Sequence, residues 1–367
     1  MVDRDYMDRA LQLAERGRGR TSPNPLVGAV VVSSDGVIVG QGFHRRVGEA
    51  HAETIALDEA GPRAQGATLY CTLEPCSPGS SRRRQHDQTG PCAERIVAAG
   101  ICRVVAAVVD PNPLVNGKGF EFLRAHGVAV DVGVASREAS RLNQPFFTAM
   151  REHRPFVVLK AAMSADGYIA EAPGKRTMLT SSDADRHAHL LRAEVDAIAV
   201  GSETILVDDP LLTARGAYRE RPFVRVIFDR RLRTPAHAAV LSTLAAGPVM
   251  IMTSPAAAAS AELRQPLEAR GARIEVVEGT ALRPAFERLA DLGVESLLLE
   301  GGSEVHAAAW DEDLVDVVSI YVCPRVIGAG GVPFLDGRPF DASMLVDRRE
   351  ERLGPDTLIE GYVHGPR

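Results

Sequence analysis

Short apolar runs of strand character alternate with helical segments along almost the whole chain. That alternation limits the fold more than any other feature, because strands joined by helical crossovers close into layered α/β structures with a largely parallel sheet. Met7, Ala10, Leu11 and Ala14 recur at i, i+3, i+4 and i+7, which predicts an opening amphipathic helix broken by Ser22-Pro23-Asn24-Pro25. Strands are expected over 26–32 and 37–42 around the turn Ser33-Ser34-Asp35-Gly36. A helix over 51–60 stops at Gly61-Pro62. A strand at 68–73, a helix at 93–99 and a strand at 103–109 follow, the last apolar enough for burial on both faces. A helix at 120–126 and a strand at 128–132 complete the first half.

Around 143–155 the pattern changes to NQPFFTAMREHRP, which divides the chain into expected domains of 1–146 and 155–367. Beyond it, strands are expected at 156–159, 197–200, 224–228, 249–252, 273–277, 296–300 and 317–322, with helices such as 183–194 and 283–292 between them. This is a second α/β domain. A hydrophobic content of 45% with 25% charged residues is that of an ordinary globular protein. The net charge of −6 supplies no positive field for general nucleic-acid or membrane binding. No apolar run approaches the length of a membrane span, and the N-terminus lacks the apolar core of a secretory signal. Five cysteines are too few and too scattered for a disulfide framework, so cytoplasmic thiols or metal ligands are the expectation.

The strongest chemical signal is His51-Ala52-Glu53 followed by Pro75-Cys76 and Pro91-Cys92. One imidazole and two thiolates suit Zn²⁺, and three protein ligands leave the open position that marks a catalytic zinc. His51 and Glu53 share the entry turn of a helix, where the backbone is not yet regular, so one can ligate while the other reaches the reacting water. Pro91 suits the first turn of the next helix, whose N-terminus favours a thiolate at Cys92. Each residue alone would be unremarkable, since a lone His or Cys is usually structural. The combination matches the zinc-deaminase signature, in which Glu is general acid/base and not a ligand. Cys71 and Cys102 lie in apolar strands and read as core, and Cys323 ends a strand far from this cluster. In the second half, Glu300-Gly301-Gly302 at a strand-to-helix turn would let backbone N–H groups approach a pyrophosphate, although it is not GxGxxG.

The segments TSPNPLVGAVVV, HAE, GATLYCTLEPC and DPNPLVNGKG resemble the bacterial bifunctional riboflavin-biosynthesis deaminase–reductase family. The resemblance continues through VVLKAAMSADGYIA, LLRAEVDAIAVGSETILVDDPLLTAR and LLLEGG, so it covers nearly the whole chain. It implies a cytidine-deaminase-like N-terminal domain and a dihydrofolate-reductase-like C-terminal domain. The implied activities are zinc-dependent deamination of a diaminopyrimidinone ribosyl phosphate, then NADPH-dependent reduction of the ribosyl chain to ribityl. It implies His51, Cys76 and Cys92 as zinc ligands, Glu53 as proton shuttle and Asn24 at the pyrimidine pocket. In the second half it implies Lys160, Ala162, Thr204 and Asp208 around NADPH, with Asp208 the candidate for positioning or protonating the reacting end, while Gly301 and Gly302 are cofactor candidates from their strand-to-helix turn alone. Arg192, Leu212, Arg215 and Glu300 fall where the family holds substrate, the two arginines as phosphate clamps.

Two segments depart from the family. Between the zinc cysteines, CSPGSSRRRQHDQTGPC is longer than the usual stretch, and Pro78 stands where a His is common. The inserted Arg82–Arg84 run and His86 allow three readings: a solvated loop, an arginine contact to the substrate phosphate, or an added ligand from His86. The second departure is GKRTMLT at 174–180, where Arg176 and Met178 replace a small polar and an aromatic residue. Three other functions compete with the two-step enzyme. They are a single-activity enzyme with one degenerate half, a nucleic-acid base deaminase and a non-catalytic regulator. Net charge and the fused second domain oppose the nucleic-acid reading, and intact His51, Glu53, Cys76 and Cys92 oppose the regulator. The expected partner is a small pyrimidine ribosyl phosphate, with no nucleic acid and no membrane, and a homo-oligomer is compatible with this reading.

Overall fold

The computed structural model describes residues 2–78, 90–217 and 220–365, so Arg82–Arg84 and His86 lie outside the described residues. The chain divides into two compact units, Met1–Glu152 and His153–Arg367. The first unit contains α1 (Asp3–Glu15), β1 (Gly28–Val32), β2 (Ile38–Phe43), α2 (Ala52–Ala60), β3 (Thr68–Cys71), α3 (Cys92–Ala98), β4 (Arg103–Ala106), α4 (Lys118–Ala125), β5 (Ala129–Val132), α5 (Ser136–Leu142) and α6 (Gln144–Glu152).

Its five strands form one sheet in the order β2-β1-β3-β4-β5. The sheet is mixed rather than largely parallel. β1 runs antiparallel to both neighbours, and only β3, β4 and β5 pair in parallel. The tight turn after β1 returns the chain at once, which forces an antiparallel pair, whereas a helix separates β3 from β4 and β4 from β5. Alternate residues feed two cores. Val31 and Val104 pack with Ala56 and Ile96 on one face, while Val30 and Val105 pack with Met7 and Phe147 on the other. Helix α2 lies directly on the backbone of β2: a Cβ at Gly40 or Gly42 would meet the Ala56 or Ala52 carbonyl at 2.1 or 2.5 Å.

Helix α6 continues to Glu152, beyond the domain end expected at 146. Phe146 and Phe147 bury its apolar side in the first unit's core. Cys71 is buried as expected, but Cys102 is exposed, because it precedes β4 and its thiol donates to the Gly66 carbonyl at 3.1 Å.

The second unit contains β6 (Phe156–Ser164), β7 (Tyr168–Ala170), α7 (Ser182–Glu194), β8 (Ala197–Gly201), α8 (Ser202–Asp208), β9 (Val224–Phe228), β10 (Val249–Thr253), α9 (Pro255–Ala259), α10 (Ala261–Ala269), β11 (Arg273–Val276), α11 (Arg283–Asp291), β12 (Ser296–Gly301), α12 (Ser303–Asp311), β13 (Val317–Cys323), β14 (Val332–Pro333), β15 (Val346–Leu353) and β16 (Asp356–Tyr362). Nine strands form one sheet in the order β11-β10-β9-β8-β12-β6-β13-β16-β15. Pairing is parallel from β11 through β13 and antiparallel for β13–β16 and β15–β16. Leu297 and Leu299 face one core and Leu298 the other, so the central strand β12 is covered on both sides. Arg154, 1% exposed, grips Asp316 through two hydrogen bonds of 2.7 and 2.9 Å, which ties the entry of β6 to that of β13. No helix among the described residues is long and apolar enough to cross a membrane.

Candidate functional sites

His51 is the N-cap of α2, with extended backbone at φ −68° and ψ 159°, and Glu53 follows inside the first turn. Cys92 is the first residue of α3, after Pro91 at the N-cap. Cys76 lies in the loop beyond β3. Two helix starts and one loop thereby converge: His51 Nδ1 lies 3.2 Å from Cys92 Sγ and 3.6 Å from Cys76 Sγ. Their ligand atoms all fall within 4.8 Å of one another. The Cys92 backbone N–H donates to Cys76 Sγ at 3.2 Å. Hydrogen bonding to Cys92 and to His51 holds the Cys76 thiol well below its ordinary pKa despite burial, so thiolate is the favoured form. One nitrogen and two sulfurs at this spacing fit zinc.

A cleft of about 360 Å³, including its open mouth, adjoins this cluster and is lined by Asn24, His44, Glu53, Glu74 and Asp110 among others. Glu53 is 4% exposed, and burial raises its pKa, with the neighbouring His51 opposing. A carboxyl that readily holds a proton beside a metal cluster is suited to proton transfer. His44 sets the orientation of Asn24. The Ala50 carbonyl can only accept, so the His44 Nδ1 at 3.2 Å carries the proton and Nε2 accepts from the Asn24 amide nitrogen at 3.1 Å. The Asn24 amide oxygen remains to accept from a ligand.

No motif in the sequence marks Glu74. It is 3% exposed, and its carboxylate accepts from the backbone N–H groups of Asp110, Gly117 and Gly119 at 3.2, 2.9 and 2.9 Å. It thereby pins the segment 110–119 beside the cleft. Gly119 approaches so closely that a Cβ would lie 2.0 Å from the Pro75 carbonyl, next to Cys76. The available signal was an acidic residue inside the apolar LYCTLEPC run, which needs a buried partner.

In the second unit, the adjacent strands β8, β12 and β6 bring together most of the residues expected there, from the middle of β6 and from the carboxyl ends of β8 and β12. Lys160 and Ala162 lie on β6, Thr204 and Asp208 on α8 directly after β8, and Glu300 and Gly301 at the end of β12. Thr204 flanks the glycine pair: a Cβ at Gly301 or Gly302 would come within 3.5 or 3.6 Å of its Oγ1. No side chain caps α12 after Gly302, so its first N–H groups suit a phosphate. Lys160 Nζ lies 5.4 Å above the Tyr321 ring, and burial lowers its pKa against the pull of Glu300. Asp208 is raised by burial, with Arg176 opposing, so the replacement at 176 faces Asp208 electrostatically.

Arg192 differs from a waiting phosphate clamp. It grips Glu300 with Nε–Oε1 at 2.6 Å and Nη2–Oε2 at 2.5 Å, and Nη1 donates to the Thr213 carbonyl at 2.9 Å. Burial opposes ionisation of Glu300, yet Arg192 and Lys160 hold its pKa at about 2. Arg215 is exposed, and its guanidinium has no carboxylate partner among the described residues. Leu212 is 2% exposed with its side chain in the core, so only its backbone, at φ +50°, can face a ligand.

Residues 155–359 match the RibD C-terminal domain, and residues 1–108 match the cytidine and deoxycytidylate deaminase zinc-binding region. The riboflavin biosynthesis protein RibD of Aquifex aeolicus is 39% identical over 360 residues, covering 98% of both chains. The chain belongs to the RibD family. The Escherichia coli RibD is 38% identical, covering 98% of this chain and 99% of its own. Among solved structures, Acinetobacter baumannii RibD superposes with a TM-score of 0.83 at 33% identity, covering 98% of each chain. A Thermotoga maritima diaminohydroxyphosphoribosylaminopyrimidine deaminase/5-amino-6-(5-phosphoribosylamino)uracil reductase gives 0.82 at 33% identity with the same coverage. RibD proteins are the bifunctional deaminase–reductases of riboflavin biosynthesis, and this chain carries both halves. Its N-terminal domain is cytidine-deaminase-like and zinc-binding, and its C-terminal domain is dihydrofolate-reductase-like and uses NADPH.

Proposed function

We propose that the first unit hydrolyses the exocyclic amine of 2,5-diamino-6-(5-phosphoribosylamino)pyrimidin-4-one, and that the second reduces the product's ribosyl chain to ribityl. The observation that carries the deaminase role is the convergence of His51, Cys76 and Cys92 beside the buried Glu53. Zinc held by those three residues supplies Lewis acidity toward water. Glu53 takes a proton from that water and passes it to the departing amine, so a C–O bond forms as the C–N bond breaks and ammonia leaves. Asn24, oriented by His44, accepts a hydrogen bond from the pyrimidine through its amide oxygen. Glu74 keeps the wall 110–119 in place.

NADPH supplies the hydride in the second unit. Lys160, Ala162, Thr204, Gly301 and Gly302 would hold it, and the uncapped start of α12 would offer backbone N–H groups to a phosphate. Asp208, whose pKa burial raises, positions or protonates the reacting end. The Arg192–Glu300 pair and the Leu212 backbone shape the substrate pocket, and the exposed Arg215 takes the ribose phosphate. The substrate is a small molecule and not nucleic acid, in keeping with a net charge of −6. Two thiol ligands belong in a reducing compartment, which favours the cytoplasm.

The deciding experiment supplies the purified protein with the diaminopyrimidinone substrate, with and without NADPH, and identifies the products. Without NADPH the deaminated ribosyl compound should accumulate; with it, the ribityl compound. Unchanged substrate in both arms would refute the deaminase assignment. Deamination without NADPH oxidation would refute the reductase assignment. Asp208→Asn should impair only the second step.

A further inference from the structure

The loop from the end of α8 to Arg215 is held at three backbone atoms by three buried or half-buried side chains. Arg225 Nη1 donates to the Leu211 carbonyl at 3.2 Å, and Arg192 Nη1 donates to that of Thr213 at 2.9 Å. The third contact has the opposite polarity. The Arg215 backbone N–H donates to His189 Nδ1 at 3.2 Å, with His189 on α7 and 9% exposed. An N–H cannot accept, so Nδ1 must carry its lone pair, and His189 must be neutral with its proton on Nε2. We propose that His189 is a positioning residue of the reductase: its neutral imidazole fixes the backbone of Arg215 and so aims that guanidinium at the substrate's phosphate. The inference rests on the reading of Arg215 as the phosphate contact.

The charged groups facing His189 are Arg192 on its own helix, Arg215 on the loop and Glu300 on β12. Burial, then the two arginines, lowers its pKa, against the Thr213 carbonyl and Glu300. The ring is therefore neutral through the neutral range. On acidification through its lowered pKa it gains a proton, and Nδ1 becomes a donor facing another donor. The ring also becomes a third positive charge beside two arginines. The loop anchor is present above that pKa and lost below it. A histidine that served only as packing would give no such coupling between proton uptake and affinity for a phosphate-bearing substrate.

The test uses the full chain and follows NADPH oxidation with the deaminated substrate and with its dephosphorylated form, between about pH 5 and 8. His189→Leu should raise KM for the phosphorylated substrate about tenfold, the worth of one lost hydrogen bond, with kcat changed far less. It should leave KM for the dephosphorylated form unmoved and abolish the acid-side rise in KM. His189→Gln, whose amide oxygen accepts but does not titrate, should restore a near wild-type KM and keep it flat with pH. Retained deamination and melting behaviour report on folding. If Arg215→Ala raises KM while His189→Leu does not, the inference is overturned and the phosphate reading stands. If Arg215→Ala leaves KM unmoved, the phosphate reading itself fails, and the inference with it. A wild-type acid limb that persists in His189→Gln also overturns it.

Discussion

The two sites are built on different plans. In the first unit, His51 and Cys92 open two helices 41 residues apart, and Cys76 lies in the loop between them. In the second, β6, α7, α8, β12 and the loop at Arg215 all contribute, and the pair Arg192–Glu300 alone spans 108 residues. A metal centre demands scarce residue types with ligand atoms within a few ångströms, so its pattern survives in linear form. A dinucleotide pocket uses glycines, a threonine and common charged residues, whose meaning depends on which strand ends are neighbours. The first plan concentrates function in a few irreplaceable atoms; the second spreads it over contacts that also hold the fold.

That contrast can be broken by substitution. The largest expected effect is Glu53→Gln, which should lower deamination by roughly 10²–10⁴-fold while zinc content and NADPH oxidation with deaminated substrate stay near wild type. Metal analysis and separate assays of the two steps check it, and a nearly active Glu53→Gln would remove the proton-transfer role. Arg192→Leu should behave in the opposite manner, as a stability mutation. It takes the hydrogen-bonded partner from Glu300, 6% exposed at its side chain, and leaves that buried charge with only Lys160 nearby, for a cost of about 3 kcal/mol. A denaturant titration reporting on the second unit should register it, with deamination spared at low denaturant.

Glu74→Gln sharpens the comparison within the first unit. An amide NH₂ set against the N–H groups of Gly117 and Gly119 leaves one of them unpaired, at a cost of about 1–3 kcal/mol. Deaminase KM should rise with zinc retained. The last test concerns acid. Because the Glu300 pKa is depressed, its ion pair contributes fully above the ordinary value of 4.5, and that contribution fades as pH falls through about 2. Stability of the second unit against urea should slope downward over that window in wild type and lose this part of the slope in Glu300→Gln.

Legibility in the sequence followed the same division. The βα alternation located most strands and the helices at 3–15, 52–60 and 182–194, and the His–Cys–Cys spacing located the metal cluster. β15 escaped notice because Val346–Leu353 is an exposed edge strand carrying VDRREERL, where charges that discourage edge pairing hide any period-2 apolar pattern. α6 lies across the 143–155 stretch where the change of pattern suggests a domain boundary, and its helical character becomes plain only once Phe146 and Phe147 have a core to pack into. Glu74, His189 and Arg225 were illegible for a different reason. Each acts on backbone atoms of a remote segment, and no side-chain pattern records which carbonyl or N–H a fold will bring to it.

Helix α2 rests flush on the two glycines of β2 and carries His51 at its N-cap and Glu53 in its first turn, the proposed metal ligand and proton carrier. The two therefore travel as one body. A side chain inserted at Gly40 or Gly42 would lift the helix and displace His51 and Glu53 by nearly the same vector. Their mutual spacing would survive while their distances to Cys76 and Cys92 changed. Errors in this part of the molecule are correlated, and the vulnerable dimension is the gap between helices, not the arrangement along one.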